Sequence, residues 1–266
     1  GEEIFTALLC KTRSRITSFT TQALADTLWA CASLAYHPGE VLLMALLEEI
    51  GRKLHTCTVQ ALSSILWACA SLEYDPGEEF FTAVLGETRR RVLSFDAWAL
   101  SNSLWACARL GYDPGKQLLT ALLERTRREL HSFNAQALSQ CLWVCASLGY
   151  DPGEELLTAL LDVTMKKRMS FGARNLADSL WACATLHYSP WEELLTALLE
   201  ETREKLPSCT AKDLSNILWA CATLGCDPGE EILTALMEET KRKWHSSTVG
   251  DLANSLWACV KLGYDP

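Results

Sequence analysis

The stretch SSILWACASLEYDPGEE, residues Ser63 to Glu79, decides the fold because close copies of it recur along the whole chain. Its tryptophan, Trp67, is one of seven that stand 38 residues apart, and seven units of that length account for all 266 residues. A fixed period of roughly 20 to 50 residues is typical of arrays in which each unit packs on its neighbours. We therefore predict one repeat domain over 1–266, as part of a longer protein, with the repeats 1–38, 39–76, 77–114, 115–152, 153–190, 191–228 and 229–266.

One repeat contains the signals for two helices. Asp75 is predicted to cap the first helix, with Pro76 at its first position and Glu78 in a capping box. Asp96 can cap a second helix, which Gly111 should end because glycine adopts the left-handed conformation readily. Each repeat is then a helical hairpin, and the fold class is all-α, a solenoid of seven stacked helix-turn-helix repeats. The other copies hold competent caps at the position of Asp96, namely Thr20, Thr58, Asn134, Thr210 and Thr248.

The cysteines are predicted to be reduced core residues. Seven of the twelve recur once per repeat, and packed helices lie about 8–10 Å apart, whereas a disulfide needs Cα atoms within about 7 Å. The pattern of cysteines and histidines does not match a metal site, so no metal and no cofactor are predicted. No apolar run approaches the roughly 20 residues that span a bilayer, so no membrane association is predicted. The repeat cysteines are Cys31, Cys69, Cys107, Cys145, Cys183, Cys221 and Cys259.

A helical wheel divides the second helix into a core side and a polar side. Leu100, Leu104 and Cys107 cluster on the core side, and alanine and serine flank them, as close packing between neighbouring second helices requires. The remaining positions, spaced i, i+4, i+7 and i+11, are predicted to point away from the core. We call them the variable stripe, which in the third repeat consists of Trp98, Asn102, Trp105 and Arg109.

Two positions of the variable stripe differ from copy to copy, while most of the helix is nearly constant. The second of them holds only Asp, Asn, Ser or Gln, all hydrogen-bonding side chains. Solvated positions free to vary would explain this, and so would side chains that read nucleotide bases. The base-contact candidates at the first position are Gln22, Gln60, Trp98, Gln136, Arg174, Lys212 and Gly250. Those at the second position are Asp26, Ser64, Asn102, Gln140, Asp178, Asn216 and Asn254.

The charges are segregated along the first helix. The formal net charge of −9 does not indicate nucleic-acid binding, but most basic residues lie near the ends of first helices and glutamates crowd their starts. Compensation of the helix dipole would place charges in this way. A phosphate backbone lying beside the variable stripe would use them too. The phosphate candidates are Arg52, Lys53, Arg89, Arg90, Arg91, Arg127, Arg128, Lys166, Lys167, Arg168, Arg203, Lys205, Lys241, Arg242 and Lys243.

The 38-residue hairpin whose second helix reads ALSNSLWACARLGYDP resembles the octotricopeptide repeat, a relative of the tetratricopeptide and pentatricopeptide families. The resemblance covers all seven units. It implies a right-handed superhelix and a factor of plastids or mitochondria that binds RNA and governs processing, stability or translation of transcripts. The chain departs from that family in having DPGEE at the first helix, with a tryptophan nearby only in SPWEE (Ser189 to Glu193), and a cysteine after LWA.

Two functions fit these observations. The first is sequence-selective binding of single-stranded RNA, at about one nucleotide per repeat. The alternative is a protein-binding scaffold, since helical solenoids commonly hold peptides and the acidic residues favour a basic partner. No catalytic residues, small-molecule substrate or phosphate-binding loop are predicted. For the repeat tryptophan, such as Trp67, packing and stacking on bases both remain open.

Overall fold

The computed structural model describes residues 2–264, and within that range every regular element is helical. Seven pairs of α-helices follow one another, and a short 3-10 turn joins the two helices of each pair. The α-helices of the described range are α1 (Glu2–Ser14), α2 (Thr21–Ser33), α3 (Glu40–Arg52), α4 (Val59–Ser71), α5 (Glu78–Arg90), α6 (Ala97–Leu110), α7 (Gly115–Glu129), α8 (Ala135–Ser147), α9 (Glu154–Lys167), α10 (Ala173–Thr185), α11 (Glu192–Lys205), α12 (Ala211–Leu224), α13 (Glu230–Lys243) and α14 (Val249–Lys261). The turns are Ile16–Ser18, Leu54–Thr56, Val92–Ser94, Leu130–Ser132, Arg168–Ser170, Leu206–Ser208 and Trp244–Ser246.

The helices pack with their neighbours in chain order in each of two compact units, one ending at Thr126 and the other beginning at Arg127. In the first unit the second helices α2, α4 and α6 lie side by side, and α3 packs on α5. In the second unit α8, α10, α12 and α14 form such a row, and α9, α11 and α13 form another. This packing confirms the predicted all-α solenoid. The prediction of one repeat domain over 1–266 stays a prediction.

The second helices supply most of the core. Leu100, Leu104 and Cys107 are fully buried, as the wheel predicts, and so are the flanking Ala106 and Ser101. Small flanking residues let neighbouring helices approach closely, which is why the copies keep alanine or serine there. The core therefore runs between the two rows of helices in each unit.

The predicted caps of the second helices are confirmed. Thr58 accepts a hydrogen bond from the N–H of Ala61 at 3.0 Å, and Asp96 accepts one from that of Ala99 at 2.8 Å. A side chain at this position satisfies one of the N–H groups that a helix start leaves unpaired. The same bond is made by Thr20, Asn134, Thr210 and Thr248.

The predicted start of the first helix of the third repeat is wrong by two residues. Asp75 and Pro76 lie outside α5, which begins at Glu78 after Gly77 with a φ of +88°. Asp75 instead accepts a hydrogen bond from the N–H of Gly77 at 2.9 Å, so it stabilises the turn before the helix. It also accepts one from the hydroxyl of Tyr112 at 2.7 Å. Glu78 is the first helical residue, where its charge favours the helix dipole, and it takes no part in a capping box.

The predicted end of the second helix is confirmed. Gly111 adopts the left-handed conformation, and the N–H of the next residue, Tyr112, donates to the carbonyl of Cys107 at 2.9 Å. This bond satisfies a carbonyl that the helix end leaves unpaired. Ala35, Glu73 and His187 hold the same left-handed conformation with φ between 48° and 53°, in place of glycine.

Candidate nucleic-acid interface

The first position of the variable stripe lies at the solvent, as predicted. It is the second residue of each second helix, two residues after the capping residue. Gln22 is half-buried, and the other six residues at this position are exposed, namely Gln60, Trp98, Gln136, Arg174, Lys212 and Gly250. In each unit, the row of second helices therefore presents a succession of chemically different side chains.

The second position of the variable stripe contradicts the wheel. It was predicted to point away from the core, but only Asp26 and Asn254 are exposed. The reason is that neighbouring second helices approach closely through small residues, so a position one turn into the helix sinks between them. Asp178 and Asn216 are half-buried, and Ser64, Asn102 and Gln140 are buried.

Asn102 is the extreme case at this position. Its relative exposure is 1 %, and its Oδ1 is buried without a hydrogen-bond partner. A buried amide oxygen without a partner costs free energy, about 1–3 kcal/mol, unless another group satisfies it. In the third repeat, the unpaired Oδ1 of Asn102 therefore lies one helical turn after the exposed Trp98, on the same face of the helix.

The two positions contact each other across one helical turn. Gln22 donates from Nε2 to Oδ1 of Asp26 at 2.9 Å, and its Oε1 accepts from the hydroxyl of Thr58 in the next repeat at 2.9 Å. Arg174 lies 3.6 Å from the carboxylate of Asp178. In the first and fifth repeats the two positions thus act as a pair, because an i, i+4 spacing brings them together.

Burial raises the pKa of Asp178 to about 6, with the nearby carboxylate of Asp213 contributing in the same direction. Arg174 and Lys212 act in the opposite direction, since positive charge favours the ionised form. The fifth repeat therefore has an acidic group that changes charge in mildly acidic solution, on the face that carries its exposed arginine.

The repeat tryptophans lie on the same face, at partial depth. Trp105 is buried, Trp67 is half-buried, and Trp29 is exposed. The ring centroids of Trp143 and Trp181 are 6.3 Å apart at 33°, so the copies of the fourth and fifth repeats contact each other. The tryptophan rings pack between repeats, and the half-buried rings also keep an edge at the surface. The structure therefore leaves both packing and stacking on bases open as roles of the repeat tryptophan.

Some of the phosphate candidates are engaged inside the fold. Lys53 donates to the carbonyls of Thr17 and Phe19 at 2.8 and 2.9 Å, and it lies 2.7 Å from Glu49. These carbonyls belong to the turn of the preceding repeat, so the amino group joins two repeats. We call the residues that do this the staple residues. They are Lys53, Arg91, Lys167 and Lys243.

The staple is a charge-assisted contact between a half-buried basic side chain and its partners. Arg91 donates to the carbonyls of His55 and Cys57, and it pairs with Glu87, which is buried. Hydrogen bonds to a charged donor contribute about 1.5–3 kcal/mol each. The pKa of the carboxyl of Glu239 is lowered mainly by its hydrogen bond to the staple residue Lys243, and also by Arg242.

The fourth repeat reverses the charges of this contact. Glu129 stands at the staple position and Arg125 stands one turn earlier, where the other repeats with a pair have glutamate. Arg125 donates to the carbonyl of Leu93 at 3.0 Å, and Leu93 is equivalent to His55. The arginine thus reaches the same turn from the other position.

The residue before each staple residue is turned toward solvent. The side chain of Arg90 is 74 % exposed, against 30 % for Arg91. Successive residues of a helix point about 100° apart, so only one of the two can face the neighbouring repeat. We call the exposed set the outer basic residues, which are Arg52, Arg90, Arg128, Lys166 and Arg242.

The other phosphate candidates lie around these two rows. Arg89 donates to the carbonyl of Pro114 at 3.1 Å, and Arg168 donates to that of Met165 at 3.0 Å. Arg203 is paired with Glu231 at 2.6 Å, and Lys205 with Glu201 at 2.7 Å. Arg127 and Lys241 are exposed.

The staples place the basic ends of first helices beside the starts of second helices. Lys167 donates to the carbonyl of Phe133, which directly precedes Asn134, the cap of α8. Backbone N–H groups and the helix dipole make such a start favourable for anions. Within each unit, the outer basic residues and the first position of the variable stripe therefore border one surface.

Sequence reasoning missed Asn175. Its Oδ1 accepts from the N–H of Gly172 at 3.1 Å, and its Nδ2 donates to Ser139 of the preceding repeat at 3.0 Å. It replaces the missing side-chain cap at Gly172 and lines a cavity of about 260 Å³ together with Asn134 and Gln136. The signal in the sequence is the exchange of alanine for a polar residue at this position, as also in Asp213 and Asp251.

The repeat cysteines are poor nucleophiles. Six of them are buried and Cys259 is half-buried. Burial raises the pKa of Cys69 and Cys107 to about 12, so these thiols stay protonated at neutral pH. No cluster of three His, Cys, Asp or Glu side chains suited to a metal ion occurs within 2–264.

Comparison with protein families identifies the family of this chain. No curated protein matches the chain. Over the part of the chain that the structure describes, no helix is both long and apolar enough to cross a membrane. The family model described as Tbc2 translation factor, N-terminal domain, matches residues 39–189, which is more than half of the chain. The chain therefore belongs to the family of the Tbc2 translation factor N-terminal domain.

Proposed function

We propose that this chain binds single-stranded RNA along its second helices, at about one nucleotide per repeat, as a factor that acts on organellar transcripts. The observation that carries the proposal is the exposed first position of the variable stripe, whose side chain changes from repeat to repeat beside a row of exposed basic residues. Varied side chains can select bases and the outer basic residues can hold phosphates. Membership of a translation factor family supports a role in translation.

We also propose that the seven units of this chain are octotricopeptide repeats. The 38-residue period and the LWA core of every second helix fit that repeat, which implies a location in plastids or mitochondria. In this proposal the chain binds RNA without cutting or modifying it.

Base selection is assigned to a pair of residues per repeat. The first position makes the contact, and the second position orients it, as Asp26 orients Gln22 through a 2.9 Å hydrogen bond. In the fifth repeat, Arg174 offers donors to a base edge while Asp178 holds its guanidinium at 3.6 Å. The tryptophans border this contact and offer ring edges for stacking.

Selection from a random RNA pool tests the proposal. We expect an enriched motif of about seven bases, as reading of one base per repeat requires. Exchanging Arg174 and Asp178 together for glutamine copies the Gln136 and Gln140 pair of the fourth repeat. The preferred base should then change at one position of the motif and stay the same at the others.

The control exchanges Arg203 for glutamine, a basic residue already paired with Glu231 and outside the stripe. It should leave the motif unchanged. No binding of any RNA at low salt would overturn the proposal. If the double variant at Arg174 and Asp178 changed the preferred base at every position of the motif, the proposal that each repeat reads one base would be overturned.

A further inference from the structure

The first helix of the second repeat differs from the other first helices on its outer face. At the position where α3 has Val41, the other copies carry glutamate or glutamine, and where it has Met44 they carry threonine. At the position of Gly51 the others carry arginine, lysine or methionine. Val41 and Met44 are 61 % and 53 % exposed. With Glu48 these residues are spaced i, i+3, i+7 and i+10, so they form one apolar stripe interrupted by a single acid.

This stripe borders a groove between α3 and α5. The groove has a volume of about 640 Å³, and its apolar floor includes Met44, Leu47, Tyr74 and Phe80. It is open because Gly51 has no side chain. A Cβ added there would lie 3.8 Å from the ring of Phe80, so a long side chain would project into the groove.

The rim of the groove is acidic. Glu48, Glu78 and Glu79 line it, and no lysine, arginine or histidine does. Arg52 approaches from the helix end, where it lies 3.8 Å from Glu48 and 3.1 Å from the buried Glu49. Such a rim repels a phosphate backbone and attracts a cationic chain.

We propose that the groove between α3 and α5 binds a peptide segment of a partner protein, with one bulky apolar side chain inserted over Gly51 and flanking lysine or arginine residues on the acidic rim. The occupant is a peptide because the groove is short, apolar at its floor and charged only at its edge, which is the anatomy of a pocket for one anchor residue. RNA on the second helices and this peptide would occupy different faces of the hairpins.

Peptide display on the whole chain tests the proposal. A library of random dodecapeptides should yield sequences with one Leu, Phe or Trp next to two or more basic residues. Gly51→Arg restores the side chain that α5 and α7 carry at this position and fills the groove, so the selected peptides should bind about tenfold more weakly or worse in fluorescence anisotropy. Met44→Thr should weaken them to a smaller extent.

The matched control is Gly86→Arg. Gly86 is also a helical glycine of a first helix, has no atom within 4 Å of an added Cβ and does not line the groove, so this variant should bind the peptides like the original chain. Circular dichroism should stay the same in both glycine variants, and RNA affinity should change by less than about twofold in each, since each adds a single charge, which separates this test from that of RNA binding.

Three results would overturn the proposal. One is a selection that enriches no peptide, and another is a set of peptides that bind Gly51→Arg as well as the original chain. The third is self-association in sedimentation equilibrium that Gly51→Arg abolishes, which would assign the groove to a second copy of the chain.

Discussion

Arg90 and Arg91 are adjacent in the sequence and carry the same charge, yet they belong to different regions of the molecule. Arg91 reaches back to the turn of the preceding repeat and donates to two carbonyls beside a buried glutamate. The side chain of Arg90 is largely exposed and donates a hydrogen bond to Oε1 of the same glutamate. The same division separates Lys53 from Arg52 and Lys243 from Arg242. A run of basic residues at a helix end thus contains a structural row and a solvent-facing row.

The difference teaches that charge at these helix ends has two uses. The staple residues donate to carbonyls of a turn, and Lys53, Arg91 and Lys243 also pair with buried carboxylates, so they hold repeats together. The outer basic residues give little to stability, because exposed ion pairs contribute about 0–1 kcal/mol. The outer row faces solvent, so its charges can also reach a phosphate backbone.

The largest expected effect comes from Arg91→Met. Loss of the guanidinium leaves the carbonyls of His55 and Cys57 without this donor, and Glu87 keeps only its pair with Arg90, so the free energy of unfolding should fall by about 3 kcal/mol. Arg90→Met, its neighbour, should change it by less than about 1 kcal/mol. Urea denaturation followed by circular dichroism measures both. Equal losses in the two variants would break the comparison.

The reversed charges of the fourth repeat offer a rescue experiment. Glu87→Arg and Arg91→Glu should each destabilise the chain by about 2–3 kcal/mol, since each places like charges one turn apart. The double variant copies the order of Arg125 and Glu129, so the introduced arginine can donate to the carbonyl of His55. We expect it to recover at least about 1 kcal/mol. Additive losses in a double-mutant cycle would contradict this role of the staple.

Asp178 sharpens the comparison among the carboxylates. The pKa of Asp178 is raised to about 6, whereas the pKa of Glu239, which pairs with the basic residues Arg242 and Lys243, is lowered. Because the folded pKa of Asp178 exceeds the ordinary value of 3.8, the folded chain binds more protons between pH 4 and 6. Its contribution to stability is therefore largest below pH 4, falls as pH rises to 6, and is constant above that.

Asp178→Asn tests this carboxylate. Removing the partly buried charge should stabilise the chain at pH 7.5 by about 2 kcal/mol and should change little at pH 4. Thermal melts at the two pH values measure the difference. Asp162→Asn, at an exposed carboxylate of α9, is the matched control and should show no such dependence. A larger gain at pH 4 than at pH 7.5 would reverse the sign and refute the assignment.

The smallest effect concerns the outer basic residues and RNA. Exchange of Arg52, Arg90, Lys166 and Arg242 for glutamine removes four exposed charges, so RNA affinity at low salt should fall by about tenfold. The slope of log affinity against log salt should decrease by about 3, since each phosphate contact on a single strand contributes about 0.7. Titration of fluorescent RNA at several salt concentrations measures this, with melting temperature as the control. An unchanged slope would mean that these residues do not hold phosphates.

Most of the fold could be predicted because its signals are local and repeated. The caps at Thr58 and Asp96 and the helix end at Gly111 follow from residue chemistry that does not depend on distant contacts. The first helix was misplaced because Asp75 and Pro76 look like a helix start, whereas Gly77 turns the chain before α5 begins. Local rules describe what a residue can do, and the competition between two nearby rules decides where the helix begins.

The candidate site was harder to predict because depth depends on the neighbouring repeat. A wheel treats a helix as isolated, so it placed Asn102 at the surface although adjacent helices bury it. The staple had a signal in the sequence, a glutamate four residues before the basic residue, as in Glu49 and Lys53. That spacing indicates a pair on one face. It does not reveal the carbonyls of the preceding turn, which are about one repeat away.

The staple also sets how the chain can change in length. Lys53 and Lys167 each donate to carbonyls 34 and 36 residues earlier in the chain, so donor and acceptor are separated by nearly one repeat period. Deleting or duplicating a block of 38 residues leaves each donor facing an equivalent turn, wherever the cut is made. A block of any other length would present the wrong partner. This architecture therefore tolerates the insertion or deletion of whole repeats. A binding site could lengthen or shorten, in evolution or by design, in steps of one repeat.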